Sequence, residues 1–463
     1  IKIFVCVHMI KFEEKKFLVV GLGVTGISMS KYLIHRNALV TVFDDQKSYE
    51  EMQQVFLCYS NVHITRQKSD QLEINTFDYV AVSPGVKIDH SILSRARKQN
   101  KIVISDIDIF FNNPSIFKSV KLVGITGSNG KTTVTEMVGG VCEKAQIDFC
   151  LLGNIGNPVL DFLKDIEIAK SNIPEVLVIE LSSFQLEHMN KNFLNIAVIL
   201  NVTEDHTDWH DSFSKYLQAK LKIFKNVEHK IANQNLRNVL PKTLTGLVTF
   251  GLKGYKDQWH LKNEEGKKII YLGGRRLFDS ALLRVVGIHN IENAMAAAAV
   301  CDFLSVKFDA IETGLLSFEG LPNRVALIRV FNGVNFIDDS KATNVGATVA
   351  ALNNFNGTAV PILGGDGKGQ DFSPLKSAVA ISSRGVILIG QDKDVIAESL
   401  SGLKIPVKFA SNMEDAVNLA LQIGHRGDSV ILSPACASFD MFKNYQERGR
   451  VFQEVTSKLI EST

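Results

Sequence analysis

The sequence lacks a strong charge of either sign. Across 463 residues, 51 lysines and arginines nearly balance 49 aspartates and glutamates, which gives a formal net charge of +2. Nucleic acids and anionic membrane surfaces attract proteins that are strongly basic, so neither is expected to be the main partner of this chain. A near-neutral chain is nevertheless compatible with a basic ligand pocket.

Cysteine motifs and long apolar runs are also missing. The six cysteines include no CxxC pair and no metal-like spacing, which is typical of free thiols in a reducing compartment. The apolar opening IKIFVCVHMI is too short to span a bilayer and precedes the charged KFEEKK. We therefore expect a cytoplasmic protein without membrane insertion. The chain begins at Ile1 rather than at methionine, which leaves its natural N-terminus open.

Apolar strand-like runs alternate with helix-like stretches in three successive blocks. The first contains FLVVGLGVTG and ALVTVFDD, the second restarts at VKLVGITGSNGKTT, and the third contains AVPILGGDGKG and SVILSPACAS. This alternation is typical of α/β domains built on parallel sheets, and the length suits about three domains. The prediction is an α/β protein with three domains: a Rossmann-like N-terminal domain (1–118), a central P-loop ATPase domain with a parallel sheet (119–322) and a C-terminal Rossmann-like α/β domain (323–463).

The clearest motif is the loop in LVGITGSNGKTTVTEMV, residues 122–138. Gly124, Gly130, Lys131 and Thr132 follow the P-loop pattern G-x-x-x-x-G-K-T with one extra residue between the two glycines, and the loop lies between a strand-like and a helix-like stretch. In such a loop, backbone amides and the lysine hold phosphate oxygens, and the threonine hydroxyl binds Mg²⁺. The motif predicts an ATP site formed by Gly127, Asn129, Gly130, Lys131, Thr132 and Thr133.

Carboxylates and histidines follow two further apolar runs. Glu180 ends EVLVIE, and NVTEDHTDWH holds His206 and His210 among several acidic residues. Two histidines four residues apart are compatible with zinc on a helix face. With a P-loop nearby, however, a magnesium-phosphate role for Glu180 and His206 is favoured. The sequence pattern alone assigns no role to Lys220, which by default is expected to be an ordinary surface lysine.

A second glycine-rich loop occurs near the start of the chain. GLGVTG has glycines at 21, 23 and 26, and Asp44 ends the next strand-like run. The motif alone is typical of NAD-dependent dehydrogenases, but the same geometry serves any diphosphate at a helix N-terminus. No Cys/His or Tyr/Lys arrangement for hydride transfer is evident. Because a P-loop follows, the chain is expected to hold two phosphorylated ligands, one of them ATP.

Taken together, several motifs resemble those of the Mur ligases, ATP-dependent amide-bond-forming enzymes of peptidoglycan synthesis. The resemblance covers essentially the whole chain, and the motifs are most similar to those of the D-glutamate-adding branch of the family. It implies UDP-N-acetylmuramoyl-L-alanine, D-glutamate and ATP as substrates, favours UDP over NAD at the first loop, and is compatible with a monomer. The matching segments are GITGSNGKTT, LLGNIGNP, ELSSFQLE, NVTEDH, GIHNIENAMAA, GLPNR, DDSKATN, GGDGKG and SPACASFDMFKNYQERG.

The resemblance also implies roles for individual residues. Lys131, Glu180, His206 and Lys220 would be catalytic; Thr132, Glu180, His206 and a carbamylated Lys220 would hold two Mg²⁺ ions. The nucleotide would also meet Asn290, Asn293, Arg324, Asp339 and Lys341. The UDP substrate would meet Gly23, Val24, Thr25, Asp44, Ser83 and Asn154. The D-glutamate pocket would contain Thr343, Lys368, Ser438, Phe439 and Tyr445.

This sequence departs from the family pattern at several of these places. Asp45 and Gln46 follow Asp44 where the family often has Thr-Arg. Asn323 stands where a histidine precedes the hinge arginine, and Tyr445 replaces a more usual phenylalanine.

The expected chemistry is activation of a carboxylate by ATP as an acyl phosphate, followed by attack of an amine. Water must be excluded from such an intermediate, so we expect the third domain to close over the others, with hinges near residues 118 and 322. Three alternatives stay open at this point: a folylpolyglutamate synthase, an NAD-linked oxidoreductase and a non-catalytic nucleotide switch.

Overall fold

A computed structural model describes residues 9–59, 61–112, 117–154, 156–253, 258–285, 287–355 and 357–459. Most of the apolar opening discussed above, residues 1–8, lies outside this part of the chain. Three separate sheets of five, nine and six strands form the framework. They confirm the predicted α/β class. The boundaries near residues 118 and 322 fall between the sheets but remain predictions.

The first sheet is entirely parallel, with the strand order β3-β2-β1-β4-β5. Phe17 to Val20 in the central strand are fully buried, as expected for a strand covered by helices on both faces. The elements are β1 (Lys16–Val20), α1 (Val24–His35), β2 (Leu39–Phe43), α2 (Tyr49–Phe56), β3 (Val62–Ile64), β4 (Tyr79–Val82), α3 (Ser91–Lys98), β5 (Ile102–Ser105) and α4 (Asp106–Phe110).

The second sheet has the order β14-β13-β12-β11-β10-β9-β6-β8-β7. Its elements are β6 (Lys121–Thr126), α5 (Lys131–Lys144), β7 (Phe149–Gly153), α6 (Val159–Ala169), β8 (Val176–Glu180), α7 (Ser183–His188), β9 (Ile196–Ile199), α8 (Thr207–His210), α9 (Phe213–Leu221), β10 (His229–Asn233), β11 (Leu247–Gly251), β12 (Trp259–Glu264), β13 (Lys267–Leu272), β14 (Arg275–Asp279), α10 (Ile288–Phe303) and α11 (Phe308–Ser317).

The predicted parallel sheet of the central unit is confirmed for β6 to β11, and the sequence-based reading missed an antiparallel extension. Strands β12, β13 and β14 pair antiparallel and widen the sheet at one edge. The Ala-rich stretch is the helix α10, as predicted, and it packs against α5. Ala294 and Ala296 to Ala299 are almost fully buried, because small side chains allow the two helices to lie close together.

The third sheet has the order β15-β16-β20-β17-β18-β19 and is parallel except for β15. Polar loops follow β16, β17 and β20, at the edge where open α/β sheets place ligands. The elements are β15 (Ala326–Phe331), β16 (Val334–Asp338), α12 (Val345–Leu352), β17 (Ala359–Leu363), α13 (Ser373–Ser382), β18 (Val386–Leu388), α14 (Lys393–Ser399), β19 (Val407–Phe409), α15 (Met413–Ile423), β20 (Ser429–Leu432) and α16 (Tyr445–Lys458).

The loop at residues 85–87 contacts the central unit through hydrogen bonds. Trp209 donates from Nε1 to the Gly85 carbonyl at 3.0 Å, and Lys87 donates from Nζ to the Asp208 carbonyl at 2.7 Å. His188 Nε2 lies 2.8 Å from the Val86 carbonyl. The first sheet's domain therefore rests on the segment that carries the predicted metal-binding histidine.

A buried acid lies at the same boundary. Asp106 Oδ2 accepts from Gln185 Nε2 at 3.0 Å, whereas Oδ1 is buried without a partner among the described residues. Burial raises the pKa of Asp106 from 3.8 to about 6. The folded state therefore holds this proton more tightly than the unfolded state does.

Asp106 is expected to make the protein less stable as pH rises from about 3.8 to 6, with no further change above that range. The effect is up to about 3 kcal/mol in the free energy of unfolding. Asp106→Asn should remove this dependence, as measured by urea unfolding at pH 5 and pH 7.5. The exposed Asp309, also in a first helical turn, offers the matched control Asp309→Asn. An unchanged pH dependence in Asp106→Asn would contradict the assignment.

Among the described residues, no helix combines the length and apolar character needed to cross a membrane.

Candidate active site

The P-loop connects β6 to α5 with its backbone amides at the helix N-terminus. Gly130 has a φ of +84°, and a Cβ there would lie 2.6 Å from Asn293 Oδ1, so a larger residue would be both strained and obstructed. Asn129 is held by Asn201, which accepts from its amide at 2.9 Å and donates to its carbonyl at 3.0 Å. The loop is therefore braced against the end of β9 in the conformation that suits an anion.

Two lysines converge on one carbonyl of this loop. Lys131 Nζ donates to the carbonyls of Gly127 and Ser128 at 2.9 and 3.0 Å, and Lys220 Nζ donates to the same Gly127 carbonyl at 2.9 Å. Lys220 is only 1% exposed, and burial together with the charge of Lys131 lowers its pKa well below the usual value. The sequence pattern had placed Lys220 at the surface by default, and that expectation was wrong.

Glu180 ends β8 directly beside the start of α5. Its Oε2 accepts from Thr132 Oγ1 at 2.9 Å, and its Oε1 accepts from Asn154 Nδ2 at 2.8 Å. Glu180 is 1% exposed, and its charge raises the pKa values of Lys131 and Lys220 against the effect of burial. Asn154, expected at the UDP substrate, thus lies against the carboxylate of the phosphate site.

His206 lies on the opposite side of the P-loop from Glu180's strand, in the segment after β9. Its φ is +53°, and its Nε2 is 3.6 Å from Asp205 Oδ2. Burial lowers its pKa, Asp205 opposes this effect, and the nearby ammonium groups of Lys368, Lys131 and Lys220 lower it further. A neutral imidazole is the form that binds a metal ion. His210 is directed elsewhere, with Nε2 3.0 Å from Ser183 Oγ.

Asn344 joins the third sheet's domain to these central loops. Its Oδ1 caps α12 by accepting from Ala347 N at 2.8 Å, and it also accepts from Asn129 Nδ2 at 3.2 Å. Its Nδ2 donates to Asp205 Oδ2 at 3.0 Å and to Asn129 Oδ1 at 3.2 Å. We call Asn344, Asn129 and Asp205 the Asn344 latch. Because the cap fixes the orientation of the amide, the latch requires an amide donor opposite Asp205.

A cavity of about 240 Å³ lies between the central unit and the third domain. It extends from the P-loop to α10 and to the loop after β16. Apolar walls come from Leu200, Phe250 and Val285. The cavity brings together most of the residues predicted to bind ATP: Asn129, Gly130, Thr133, Asn290, Asn293, Arg324, Asp339 and Lys341.

The charged groups of the third domain are paired at the edge of this cavity. Asp339 accepts from Ser433 Oγ at 2.7 Å, and burial raises its pKa to about 7. Lys341 Nζ donates to Tyr445 Oη at 2.6 Å, and burial followed by the charge of Arg324 lowers the Lys341 pKa to about 8. The tyrosine that replaces phenylalanine thus supplies a hydroxyl to Lys341.

The remaining residues of the predicted D-glutamate pocket lie on neighbouring loops. A backbone bridge between Asp366 and Ala437 places the Lys368 loop beside the Ser438 loop. Ser438 is buried, whereas Phe439 is 69% exposed. Within the described residues, no hydrogen bond joins Thr343, Lys368 and Ser438 to one another. The structure thus brings these residues to one edge of the sheet.

The first glycine loop is held by Asp44. The Asp44 carboxylate accepts from the backbone amides of Leu22 at 2.6 Å, Gln46 at 2.8 Å and Lys47 at 3.0 Å. A Cβ on Gly26 would lie 1.9 Å from the Gly21 carbonyl, so the third glycine permits the close approach of α1. Val24 is 76% exposed at the helix start, and Thr25 is partly buried beside it. Ser83 lies against Gly21 from β4, and Gly23 has open space around it.

Asp45, one of the residues that depart from the family pattern, has a partner of its own. His90 Nε2 lies 2.8 Å from Asp45 Oδ2, and His90 Nδ1 accepts from Ile92 N at 3.3 Å. The second bond leaves the proton on Nε2, so His90 donates to Asp45. Asp45 therefore connects the glycine-loop side of the sheet to the start of α3.

The described residues contain no group of three histidine, cysteine, aspartate or glutamate side chains placed to hold a metal ion. Magnesium in nucleotide sites is commonly bound through one or two carboxylates together with phosphate oxygens and water. The adjacent Thr132 hydroxyl and Glu180 carboxylate fit that arrangement at the P-loop.

Three family models match successive parts of the chain: Mur ligase MurD-like N-terminal domain at 15–105, Mur ligase middle domain at 125–301, and Mur ligase glutamate ligase domain at 323–436. A protein of Nitrosospira multiformis named UDP-N-acetylmuramoylalanine--D-glutamate ligase is 40% identical, over 95% of this chain and 94% of its own. One of the same name from Thiobacillus denitrificans is 37% identical, over 97% and 98%. The chain belongs to the Mur ligase family.

Solved structures agree with the fold of this Mur ligase. UDP-N-acetylmuramate-alanine ligase MurC from Thermotoga maritima has a TM-score of 0.58 at 20% identity, covering 96% of this chain and 99% of its own. MurF ligase from the same organism, in complex with ADP, has a TM-score of 0.56 at 18% identity, covering 97% and 96%. At these identities the likeness concerns the fold alone.

Sequence reasoning missed several residues of this Mur ligase's site. Ser128 Oγ and Tyr216 Oη lie 2.8 Å apart beneath the P-loop, and Lys220 Nζ sits 4.6 Å from the Tyr216 ring centre. Tyr216 and Lys220 are four residues apart on α9, a spacing that places both on one helix face and was a usable signal. The Asn344 latch had no such signal, because its partners are 139 and 215 residues away in the sequence.

The Asn344 latch is open to a charge test. Asn344→Asp keeps an oxygen to cap α12 but places a second carboxylate against Asp205, so kcat/KM for ATP is expected to fall about 10- to 100-fold. Asn344→Ser, which keeps a cap without the added charge, should cause a smaller loss. Adding Asp205→Asn to Asn344→Asp restores a donor–acceptor pair and should recover part of the activity. A double variant no better than Asn344→Asp alone would argue against the latch.

Proposed function

We propose that this Mur ligase joins D-glutamate to the alanine carboxylate of UDP-N-acetylmuramoyl-L-alanine, with conversion of ATP to ADP and phosphate, in cytoplasmic peptidoglycan synthesis. The observation that carries the proposal is the cavity between the central unit and the third domain. It joins the P-loop to α10 and to Arg324, Asp339 and Lys341, in a chain nearly as long as its D-glutamate ligase relatives.

The chemical problem is that a carboxylate is a poor electrophile. ATP would phosphorylate the alanine carboxylate, and the amine of D-glutamate would displace phosphate from the resulting acyl phosphate. The P-loop amides and Lys131 would hold the transferring phosphoryl group, where oriented donors are worth about 3 kcal/mol each. Lys131 now rests on loop carbonyls and needs only to turn toward an anion in the same place.

Two Mg²⁺ ions would neutralise the phosphate oxygens and orient them for transfer. Thr132 and Glu180 fit a metal ion at the P-loop. His206 and a carbamylated Lys220 would hold the other, since a carbamate supplies the oxygen ligands that an ammonium cannot. Burial and the charge of Lys131 lower the pKa of Lys220, so a larger fraction of the side chain is the neutral amine. The neutral amine is the form that reacts with CO₂.

The two organic substrates would bind on either side of the central unit. The UDP group would lie at the glycine loop of Gly23, Val24 and Thr25, which Asp44 holds in place. D-Glutamate carries two carboxylates and would meet cationic and hydroxyl donors, with Lys368 and Lys341 as the cations and Thr343 and Ser438 as the hydroxyls. Because every group invoked comes from one chain, a monomer suffices for the reaction.

The test is phosphate release with ATP, Mg²⁺ and UDP-N-acetylmuramoyl-L-alanine, comparing D-glutamate, L-glutamate, L-alanine and diaminopimelate. Turnover should require D-glutamate, and the product should contain one new amide bond by mass spectrometry. Equal phosphate release with all four amino acids, or release without any of them, would contradict the proposal. Replacing the UDP substrate with dihydrofolate tests the folylpolyglutamate alternative, and no turnover is expected.

A further inference from the structure

Glu292 is a polar group in the cavity that the proposed reaction does not use. It lies near the start of α10, next to Asn293, whose side chain approaches the P-loop at Gly130. Its Oε1 is buried and has no hydrogen-bond partner among the described residues. A buried carboxylate oxygen without a donor is costly, so such a group calls for an explanation.

The neighbour of Glu292 is Asn233 at the end of β10. Burial raises the pKa of the Glu292 carboxyl, and the side chain of Asn233, which is only 4% exposed, lowers that pKa as a hydrogen-bonding neighbour. Its Oδ1 accepts from the backbone amide of Asn235 at 2.9 Å. Because Oδ1 is engaged in this bond, Nδ2 is the atom that can donate to Glu292. Its second hydrogen is available to another acceptor.

Glu292 and Asn233 thus present a hydrogen-bond acceptor beside a donor at one wall of the cavity. Phe250 and Leu200, both buried, line the same region and provide flat apolar surface. The P-loop defines where phosphates bind, so the base of a nucleotide would occupy a part of this cavity away from the loop. An aromatic base with a donor and an acceptor on one edge would satisfy all of these groups.

We propose that Glu292 and Asn233 select adenine by reading the edge that carries its 6-amino group. The Glu292 carboxylate would accept from the amino group, and Asn233 would donate to an adjacent ring nitrogen. A 6-oxopurine presents an oxygen where adenine presents the amino group, so it would face the carboxylate with an unfavourable contact. The inference rests on the proposed use of ATP and names the residues that determine the choice of base.

Purine nucleoside diphosphates are suitable probes, because their binding can be measured without turnover. ADP and IDP differ mainly in the group at position 6 of the base. The full-length protein should bind ADP about 10- to 100-fold more tightly than IDP by isothermal titration calorimetry, as expected for one hydrogen bond to a charged group. In Glu292→Gln, the side-chain amide can turn its donor toward a 6-oxo group. The ratio of the two dissociation constants is therefore expected to shrink at least about fivefold.

Two further variants serve as controls for this interpretation. Glu292→Ala should weaken ADP binding, because the contact with the amino group is lost, and should strengthen IDP binding, because the unfavourable contact between the 6-oxo group and the carboxylate is removed. Glu143→Gln makes the same chemical change at an exposed position of α5 and should leave the ratio at the wild-type value. Comparable thermal midpoints for all variants would establish that each is folded.

An ADP-to-IDP ratio in Glu292→Gln equal to that of the wild type would overturn the inference, even if phosphate release still requires D-glutamate. Conversely, a ratio that depends on Glu292 supports the inference even if phosphate release proves independent of D-glutamate, which would contradict only the proposed function. The two failures are therefore distinguishable.

Discussion

Replacing Lys131 with alanine is expected to lower D-glutamate-dependent phosphate release about 1000-fold or more. The ammonium group sits at the N-terminus of α5, between two loop carbonyls, 2.9 and 3.0 Å from their oxygens. In phosphoryl transfer nearly all the catalysis comes from positioning and charge neutralisation, so losing the P-loop cation removes about 4 kcal/mol of transition-state stabilisation. Initial rates at saturating substrates measure the effect.

The matched control is Lys144→Ala, which removes an exposed lysine from the last turn of the same helix. Its rate should remain within about twofold of the wild type, since surface substitutions usually have small effects. Lys131→Ala should remain folded, as judged by its thermal midpoint. Amide-bond formation at a normal rate in Lys131→Ala would overturn the proposed use of the P-loop.

Replacing Lys220 with alanine is expected to lower the same activity at least about 100-fold. Lys220 and Lys131 both donate to the Gly127 carbonyl, and two ammonium groups so close repel each other in a buried site. Conversion of Lys220 to a carbamate would replace that repulsion with attraction and add a metal ligand. Lys220→Arg, which keeps a positive charge but cannot form the carbamate, should be equally inactive. Exposed Lys225→Ala is the control.

A second measurement separates the carbamate from a purely structural role. Wild-type activity should fall when dissolved CO₂ is removed and return when bicarbonate is added. The carbamate forms from the neutral amine and releases a proton, so its fraction should rise with pH through the lowered pKa of Lys220. The proposed carbamate would be contradicted if activity did not change with the CO₂ concentration and the intact-protein mass showed Lys220 to be unmodified.

Much of the fold was predictable because its signals are local. Most parallel strands are apolar runs ended by glycine or a polar residue, and covered strands such as β8 are buried along their whole length. The antiparallel strands β12 to β14 were missed, since they lie at a sheet edge and mix exposed with buried residues. Their pattern resembles a surface segment as much as a strand.

Only part of the candidate site could likewise be predicted from local signals in the sequence. The P-loop and Glu180 follow from a motif and from a strand end, and both are seen together in the structure. The position of Asn154 against Glu180 and the bonds from Asp44 to backbone amides depend on how loops distant in sequence approach one another. The individual roles of the predicted site residues and the domain boundaries stay predictions.

The short segment from Asp205 to Asp211 is contacted from two directions. The first sheet's domain reaches it through Gly85 and Lys87, and the third domain reaches it through Asn344. Any shift of the segment caused by one outer domain must alter the contact made by the other. If a ligand bound to one outer domain shifts this segment, the affinities of the two outer domains for their ligands are thermodynamically linked, and each ligand changes the affinity for the other by the same factor.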